Sequence, residues 1–425
     1  MRRSIVIAFS TFVTLVAWTG VFVAGTLEGW WRRPLAPRGD PRAFMDAAVA
    51  EIEDRHRGNV AFIMLEDGLV FDQYFISVGT PVHSHTIFQV ASLSKWITAW
   101  GIMTLVEAGK LDLDTPVSTY LTRWALPESE FENGGVTVRR LLSHTAGLTD
   151  GLGYAGFARG EPVQSLEESL TLAADASPGA EGAVRVGMEP GTAFEYSGGG
   201  YTLLQLLVEE VSGQPFDDYM KRRVFDRLGM TRSTYTLDET GTSNVAEFYD
   251  ADGLPATHYR FTSLAATSLY TTAADLTRFI QAHLAGSHGQ PAGRGVLRPM
   301  TLTEMRGPHA SKWGADIWGL GTMLYASNNA DDFIFGHDGN NEPAINTAAR
   351  LDPGSGDGII ILETGNPLLA TTLAGEWTFW RTGNVDFLML TVASQAALRV
   401  LAIGCIVIIL TAVIVGWRLK KRARP

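Results

Sequence analysis

In the segment QVASLSKWITAW, Gln89 to Trp100, a serine hydroxyl at Ser92 and an amine at Lys95 stand three residues apart where an apolar helix is expected to begin. Residues at that spacing share a helix face, so the amine can reach the hydroxyl. Serine is a weak nucleophile until a base takes its proton. Lys95 becomes such a base if its pKa falls, which burial and the positive end of a helix both promote. Ser92 would also offer its own backbone N–H to an oxyanion. Taken alone, the same pair also describes the polar edge of an amphipathic helix.

Two further stretches narrow the choice. PGTAFEYSGGGYTLLQLL places Tyr196 in a glycine-rich turn ahead of an apolar helix, and FGHDGNNEPA places His337 at the end of an expected strand. LLSHTAGL (Leu141 to Leu148), GKLDLDTPV (Gly109 to Val117), FDRLGMTRS (Phe225 to Ser233) and SLYTTAADLTRF (Ser268 to Phe279) surround them. Together these segments resemble the serine β-lactamase and penicillin-binding-protein superfamily, in its class C β-lactamase-like branch. The resemblance runs over about residues 45–370, with three motifs in the family's order.

The resemblance implies that Ser92 is the nucleophile and Lys95 its partner. Tyr196 matches the tyrosine of a Y-x-N motif, which shares proton transfer with the lysine. His337-Asp338-Gly339 stand where the family has K-T-G, in an H-x-G form seen in esterases and peptidases of the branch. The backbone N–H groups of Ser92 and Asn340 would form the oxyanion hole. No metal and no organic cofactor is implied.

Two departures bear on substrate. Gly198 replaces the asparagine of Y-x-N, removing a side-chain amide that would hold an acylamino group. The H-D-G element replaces lysine by His337, whose charge is not assured at neutral pH. It also replaces a carboxylate-binding threonine by Asp338, which would repel a carboxylate and attract an amine if it faced the cleft. The expected activity is therefore formation of an acyl-enzyme on Ser92 and hydrolysis of a small-molecule or peptide amide or ester. The alternatives are a β-lactamase or D-Ala-D-Ala carboxypeptidase, and a binding module or sensor that traps one acyl group.

Other eye-catching residues have plainer readings. His144 belongs to a structural turn in the family pattern, and His83 and His85 read as loop histidines with no third metal ligand in register. Ser94 is at most a support for Lys95. Trp96 and Trp100 are helically spaced and read as core, and Tyr201 reads as structural beside Tyr196.

The elements that must position these groups come from both ends of the chain. Asp40-Pro41 reads as an N-cap and first helical residue, and Asp67-Gly68 joins two β-rich runs as a hairpin. Helices separated by Gly/Pro/Ser/Thr loops fill about 110–300, with Thr272 and Asp275 set as a capping box. Strand character returns in WGLGTMLY, DDFIFGHDG, INTAARLD and GIIILET, before a helix in PLLATTLAGEWTFWRT. The expected fold is α/β (α+β): a mixed antiparallel sheet built from both chain ends, flanking helices, an inserted helical subdomain and a transmembrane helix at each terminus.

The ends differ from the middle. Ser4 to Gly25 is uncharged over 22 residues, and Val400 to Trp417 over 18. At about 1.5 Å per residue either run roughly matches a hydrocarbon layer of about 30 Å. Residues 1–27 read as a signal-anchor, preferred over a signal peptide cut near Val23-Ala24-Gly25. Residues 28–40 form a linker, 41–385 the hydrolase-like domain, 386–399 a juxtamembrane segment and 400–417 the second span. The basic tail, 418–425, is placed in the cytoplasm by positive-inside logic, which puts the domain outside it, in the periplasm or the extracellular space. The single cysteine, Cys405, excludes an intrachain disulfide. A net charge of −11 argues against nucleic acid as a partner; the sequence names no protein partner.

Overall fold

The hairpin expected at Asp67-Gly68 forms because both residues take positive φ, 50° and 74°, the backbone that a type I′ turn between two strands requires. In this computed structural model, which describes residues 2–151, 153–238, 243–342 and 344–422, it joins β1 (Val60–Glu66) to β2 (Leu69–Ile76). The last residues of the expected basic tail, 423–425, lie outside the described residues. Six further strands of the main sheet follow late in the chain: β3 (Ala310–Lys312), β4 (Ala315–Trp318), β5 (Met323–Ser327), β6 (Phe333–Asn341), β7 (Ile345–Leu351) and β8 (Gly358–Thr364).

They form one eight-stranded antiparallel sheet in the order β2-β1-β8-β7-β6-β5-β4-β3. The two chain ends meet at β1 and β8, where Val60 lies opposite Glu363 and Leu65 opposite Gly358.

Both faces of the sheet are covered, which explains why GIIILET reads as a continuous apolar run rather than an alternating one. Ala61, Ile63, Leu65, Ile360 and Leu362 point into the larger core, shared with the helical insertion. Val60, Phe62, Met64, Ile359 and Ile361 point into a second core under helices α2 (Pro41–Arg55) and α5 (Leu369–Thr382). Asp40 caps α2 as expected, its carboxylate accepting from the Ala43 N–H at 2.9 Å. In the insertion, Thr272 caps the helix Ala273–Gln281. Asp275, however, turns its carboxylate to the Arg232 N–H, Ser233 and Arg278 instead of closing a reciprocal box.

Two helices, α1 (Arg2–Leu27) and α6 (Phe387–Arg422), are long and apolar enough to cross a membrane. The apolar segment before Arg399 continues into the second run as one helix. The two pack antiparallel: the Trp18 indole donates to the Leu401 carbonyl at 3.2 Å, and Ile7 lies near Gly416. A Cβ on Gly404 would sit 2.3 Å from the Trp18 ring, so this contact needs glycine.

A buried ion cluster ties α6 to the sheet. Arg350 on β7 is fully buried; it pairs with Asp338 of β6 at 3.2 Å and with Asp386, which precedes α6. Its guanidinium lies 3.7 Å from the Tyr325 ring centre, and Tyr325 donates its hydroxyl to Asp338 at 2.6 Å. Asp386 in turn accepts from the Leu388 N–H at 2.6 Å, capping the start of α6.

Removing one partner of such a cluster strands buried charge, at a cost of about 3–5 kcal/mol, whereas apolar replacement of all partners is often neutral. Arg350→Ala is therefore expected to lower the melting temperature of the detergent-solubilised full chain sharply. The triple change Asp338→Leu, Arg350→Met, Asp386→Leu should recover most of the loss. An Arg350→Ala chain that melts with the wild type would show that the cluster does not hold these elements together.

Candidate active site

Ser92 sits in a single 3-10 turn, Ala91–Leu93, that feeds directly into α3 (Ser94–Glu107). Ala91 holds a left-handed backbone, φ 48°, which costs a non-glycine residue of the order of 1 kcal/mol. Ser94 stabilises the turn: its hydroxyl donates to the Ala91 carbonyl at 2.5 Å and accepts the Leu269 N–H at 3.0 Å. Ser92 is left half-buried at the mouth of a cavity.

Lys95, one turn on, is almost completely buried. Its Nζ lies 3.2 Å from Ser92 Oγ and donates to the Ala266 carbonyl at 2.8 Å. Burial lowers its pKa to about 7, against a smaller upward pull from Asp150. The ammonium also lies 5.0 Å from the ring centre of Tyr196 and 5.5 Å from that of Tyr201.

Tyr196 reaches Ser92 from the loop before α4 (Gly198–Ser212). Burial raises its pKa, and the contact with Ser92 offsets this only in part, so the phenol stays protonated at neutral pH. His144 backs the ring: the two centroids are 4.4 Å apart, and Trp318 meets both edge-on, at 4.7 Å from His144 and 5.7 Å from Tyr196. The Ser197 N–H donates to His144 Nδ1 at 3.1 Å. Burial and the charge of Lys95 hold the imidazole well below its ordinary pKa, so it is neutral. His144 thus belongs to a turn, with φ 56°, and also braces the site tyrosine.

No local pattern in the sequence marks Asp150. Ser197, the N-cap of α4, donates to Asp150 Oδ1 at 2.5 Å, while the Gly199 N–H donates to Asp150 Oδ2 at 3.2 Å. The signal available was a serine followed by three glycines at a helix start, whose open N–H groups attract an anion. Gly198 is buried at the first position of α4 and does not line the cavity.

Strand β6 completes the site. A Cβ on Gly339 would fall 2.1 Å from the Val90 carbonyl, so glycine lets β6 lie against the turn carrying Ser92. Thr347 of β7 secures that approach, donating to the same carbonyl at 2.9 Å. Asn340 lines the cavity beside Ser92, its side chain tied to the Pro367 carbonyl at 2.5 Å. His337 is buried behind the lining, its Nδ1 2.6 Å from the Asp338 carbonyl. Burial and the charge of Lys95 push its pKa down to about 3, leaving it uncharged.

Asp338 does not face the cleft. Successive strand residues point to opposite faces, and Asp338 points to the ion cluster with Arg350 and Tyr325. It therefore contacts no substrate through its carboxylate, and the charge selectivity expected of it has no basis at this position.

The cavity measures about 250 Å³ and brings together Ser92, Lys95, Tyr196 and Asn340, with Tyr154, Thr267, Asn341 and Glu342 around them. The geometry offers an amine poised near neutrality on a serine hydroxyl, with a protonated phenol alongside.

The family profile described as Beta-lactamase matches residues 42–375. The chain belongs to the beta-lactamase family. It is similar to penicillin-binding protein 4 of Amycolatopsis lactamdurans, 31% identical over 301 residues that cover 68% of this chain and 74% of that one. It is also similar to penicillin-binding protein 4* of Bacillus subtilis, at 30% identity over 45% of this chain, and spans only 41% of that protein. Among solved structures, an octameric penicillin-binding protein homologue from Pyrococcus abyssi superposes with a TM-score of 0.65 at 23% identity. That superposition covers 80% of this chain and 77% of the other. This beta-lactamase-family chain therefore has the fold of the serine β-lactamases and penicillin-binding proteins, a family generally of serine hydrolases.

The close approach at Gly339 gives a direct check. Gly339→Ala forces β6 away from the nucleophile turn; overpacking of this kind costs about 1–3 kcal/mol. Labelling of the serine by a fluorophosphonate should slow by about tenfold or more, because displacing a positioned group by about 1 Å has that scale of effect. Labelling at the wild-type rate in the folded variant would show that β6 plays no part in the site.

Proposed function

We propose that this protein is a membrane-anchored serine hydrolase that forms an acyl-enzyme on Ser92 and hydrolyses an amide or ester outside the cytoplasm. The observation that carries the reading is Lys95: a buried amine with its pKa near 7, 3.2 Å from a serine hydroxyl at a cavity mouth. An ordinary exposed lysine would be protonated at that pH and unable to accept a proton.

In the acylation step neutral Lys95 takes the Ser92 proton as Oγ attacks the carbonyl carbon. The negative charge on the carbonyl oxygen is held by the backbone N–H groups of Ser92 and Asn340. The tetrahedral intermediate collapses when the bond to the leaving group breaks. Tyr196, protonated and touching Ser92, hands its proton to the leaving amine or alkoxide and is reprotonated from Lys95. Water then attacks the ester, losing its proton along the same Tyr196–Lys95 route, and Ser92 regains its hydrogen as the acid leaves. His144 takes no proton in this scheme; it keeps the Tyr196 ring in place.

Anchoring is supported by the antiparallel pairing of α1 and α6, which brings Ile7 and Gly416 to the end of the pair far from the domain. Arg418, Lys420 and Lys421 cluster at that end, the arrangement expected on a cytoplasmic side.

The decisive experiment is the intact mass of the purified chain after reaction with a fluorophosphonate, with turnover of a short-chain p-nitrophenyl ester followed in parallel. One adduct on wild type, none on Ser92→Ala, and repeated ester turnover are expected. No adduct and no turnover from folded protein would overturn the assignment.

The pH dependence follows from the sign of the Lys95 shift. The base is active when neutral, so the labelling rate should be level above about pH 7 and fall about tenfold per pH unit below it. His337, at about 3, stays neutral across pH 5–8 and adds no second limb. A rate independent of pH over that range would remove Lys95 as the base.

A further inference from the structure

The cavity beside Ser92 is short of cations. Lys95 is the one basic side chain among the described residues that line it, and its amine is already engaged by Ser92 Oγ and the Ala266 carbonyl. His337, which stands where the family resemblance would place a permanent positive charge, is buried behind the lining with Nδ1 on a backbone carbonyl. A substrate carboxylate entering this space therefore meets no free positive group.

Negative groups are present instead. Glu342, exposed to solvent in the turn after β6 and one residue beyond Asn341, is among the residues lining the cavity. Among the described residues no ion pair occupies its carboxylate. Tyr154, also in the lining, is backed by two acids whose fields both reach its hydroxyl, Asp150 and Asp175. Asp175 is 4% exposed, and burial raises its carboxyl to about 6, so it is largely ionised at neutral pH. A concave site whose unengaged charge is of one sign concentrates ligands of the other sign.

We propose that the cavity selects acyl donors bearing a free ammonium group close to the scissile carbonyl, and that Glu342 is the residue that receives it. This deepens the hydrolase reading and rests on it: the substrates would be α-amino amides or esters and amino-terminal peptide residues, not chains ending in a carboxylate beside the cleaved bond. The selectivity that the sequence suggested for Asp338 is thereby carried by a different carboxylate, a few residues further along the same hairpin.

The test compares alanine p-nitroanilide, in D and L forms, with the N-succinyl derivative of each. For the wild-type full chain in detergent, kcat/KM should favour the free amine of the accepted enantiomer by tenfold or more. Glu342→Gln should reduce that ratio at least fivefold, and Glu342→Asp should restore part of it. A role in merely shaping the loop would move both substrates together and leave the ratio unchanged. In parallel, calorimetry on the Ser92→Ala chain with alanine amide and N-succinyl-alanine amide reads recognition without turnover. Tighter binding of the amine, weakened when Glu342→Gln is added, supports the assignment even if the hydrolase reading fails. Turnover with equal kcat/KM for amine and N-succinyl forms overturns the selectivity while leaving the hydrolase intact. So does a ratio that Glu342→Gln does not change. Where there is no turnover, equal binding of the two amides overturns it.

Discussion

The whole site depends on keeping one amine out of water. Lys95 is 2% exposed, and the loss of hydration is the largest influence on its pKa. That loss has to be supplied by packing. Leu93 in the preceding turn and Trp96 and Ile97 on the same helix are fully buried beside Lys95 in the sequence, and the rings of Tyr196 and Tyr201 cover its charge from α4 and the loop before it. The Ala266 carbonyl and Ser92 satisfy two of its protons, so the amine is desolvated without being orphaned. Asp150 offsets the desolvation in part. A balance near neutrality is what a proton acceptor working in ordinary conditions requires.

Strand β6 serves two faces at once, and period-two alternation is the reason. Gly339 lies against the turn that holds Ser92, while Asp338 faces the second core and meets Arg350, itself bound to Asp386 at the root of α6. A threonine at position 338 could not neutralise a buried guanidinium. The aspartate in the H-D-G element is thus explained by what lies behind the sheet, not by what enters the cleft. The same cluster ties the strand that lines the cavity to the helix that leaves the domain.

Much of this was legible in the sequence because it rested on local chemistry. The hairpin at Asp67-Gly68, the Asp40 cap and the apolar strands GIIILET and INTAARLD declare themselves through backbone preference and hydrophobic pattern. The convergence of Ser92, Lys95, Tyr196 and Asn340 was implied by the family resemblance that their motifs carry, and the four line one cavity. The direction of Asp338 was not legible, since the pleat phase of one strand fixes it and short apolar runs buried on both faces conceal that phase. Asp150 was hidden for a related reason: it acts 47 residues away from Ser197, across a contact that no local pattern encodes. His144 was legible as a turn residue, but its place behind Tyr196 emerges only when α4 packs against that turn.

Position 198 links these points. An asparagine there would put an amide at the first position of α4, next to the helix-end N–H groups that Ser197 and Asp150 already bind. With Gly198 that end is served from outside the helix. Asp150 complements the positive end of α4 and, at the same time, sets a negative charge behind Lys95 and Tyr154. Asp150 therefore does more than cap the helix. It sets negative charge behind Tyr154 while holding back the fall in the Lys95 pKa. Burial is the main cause of the fall in the Lys95 pKa and Asp150 moderates it, so removing the Asp150 charge would lower that pKa further.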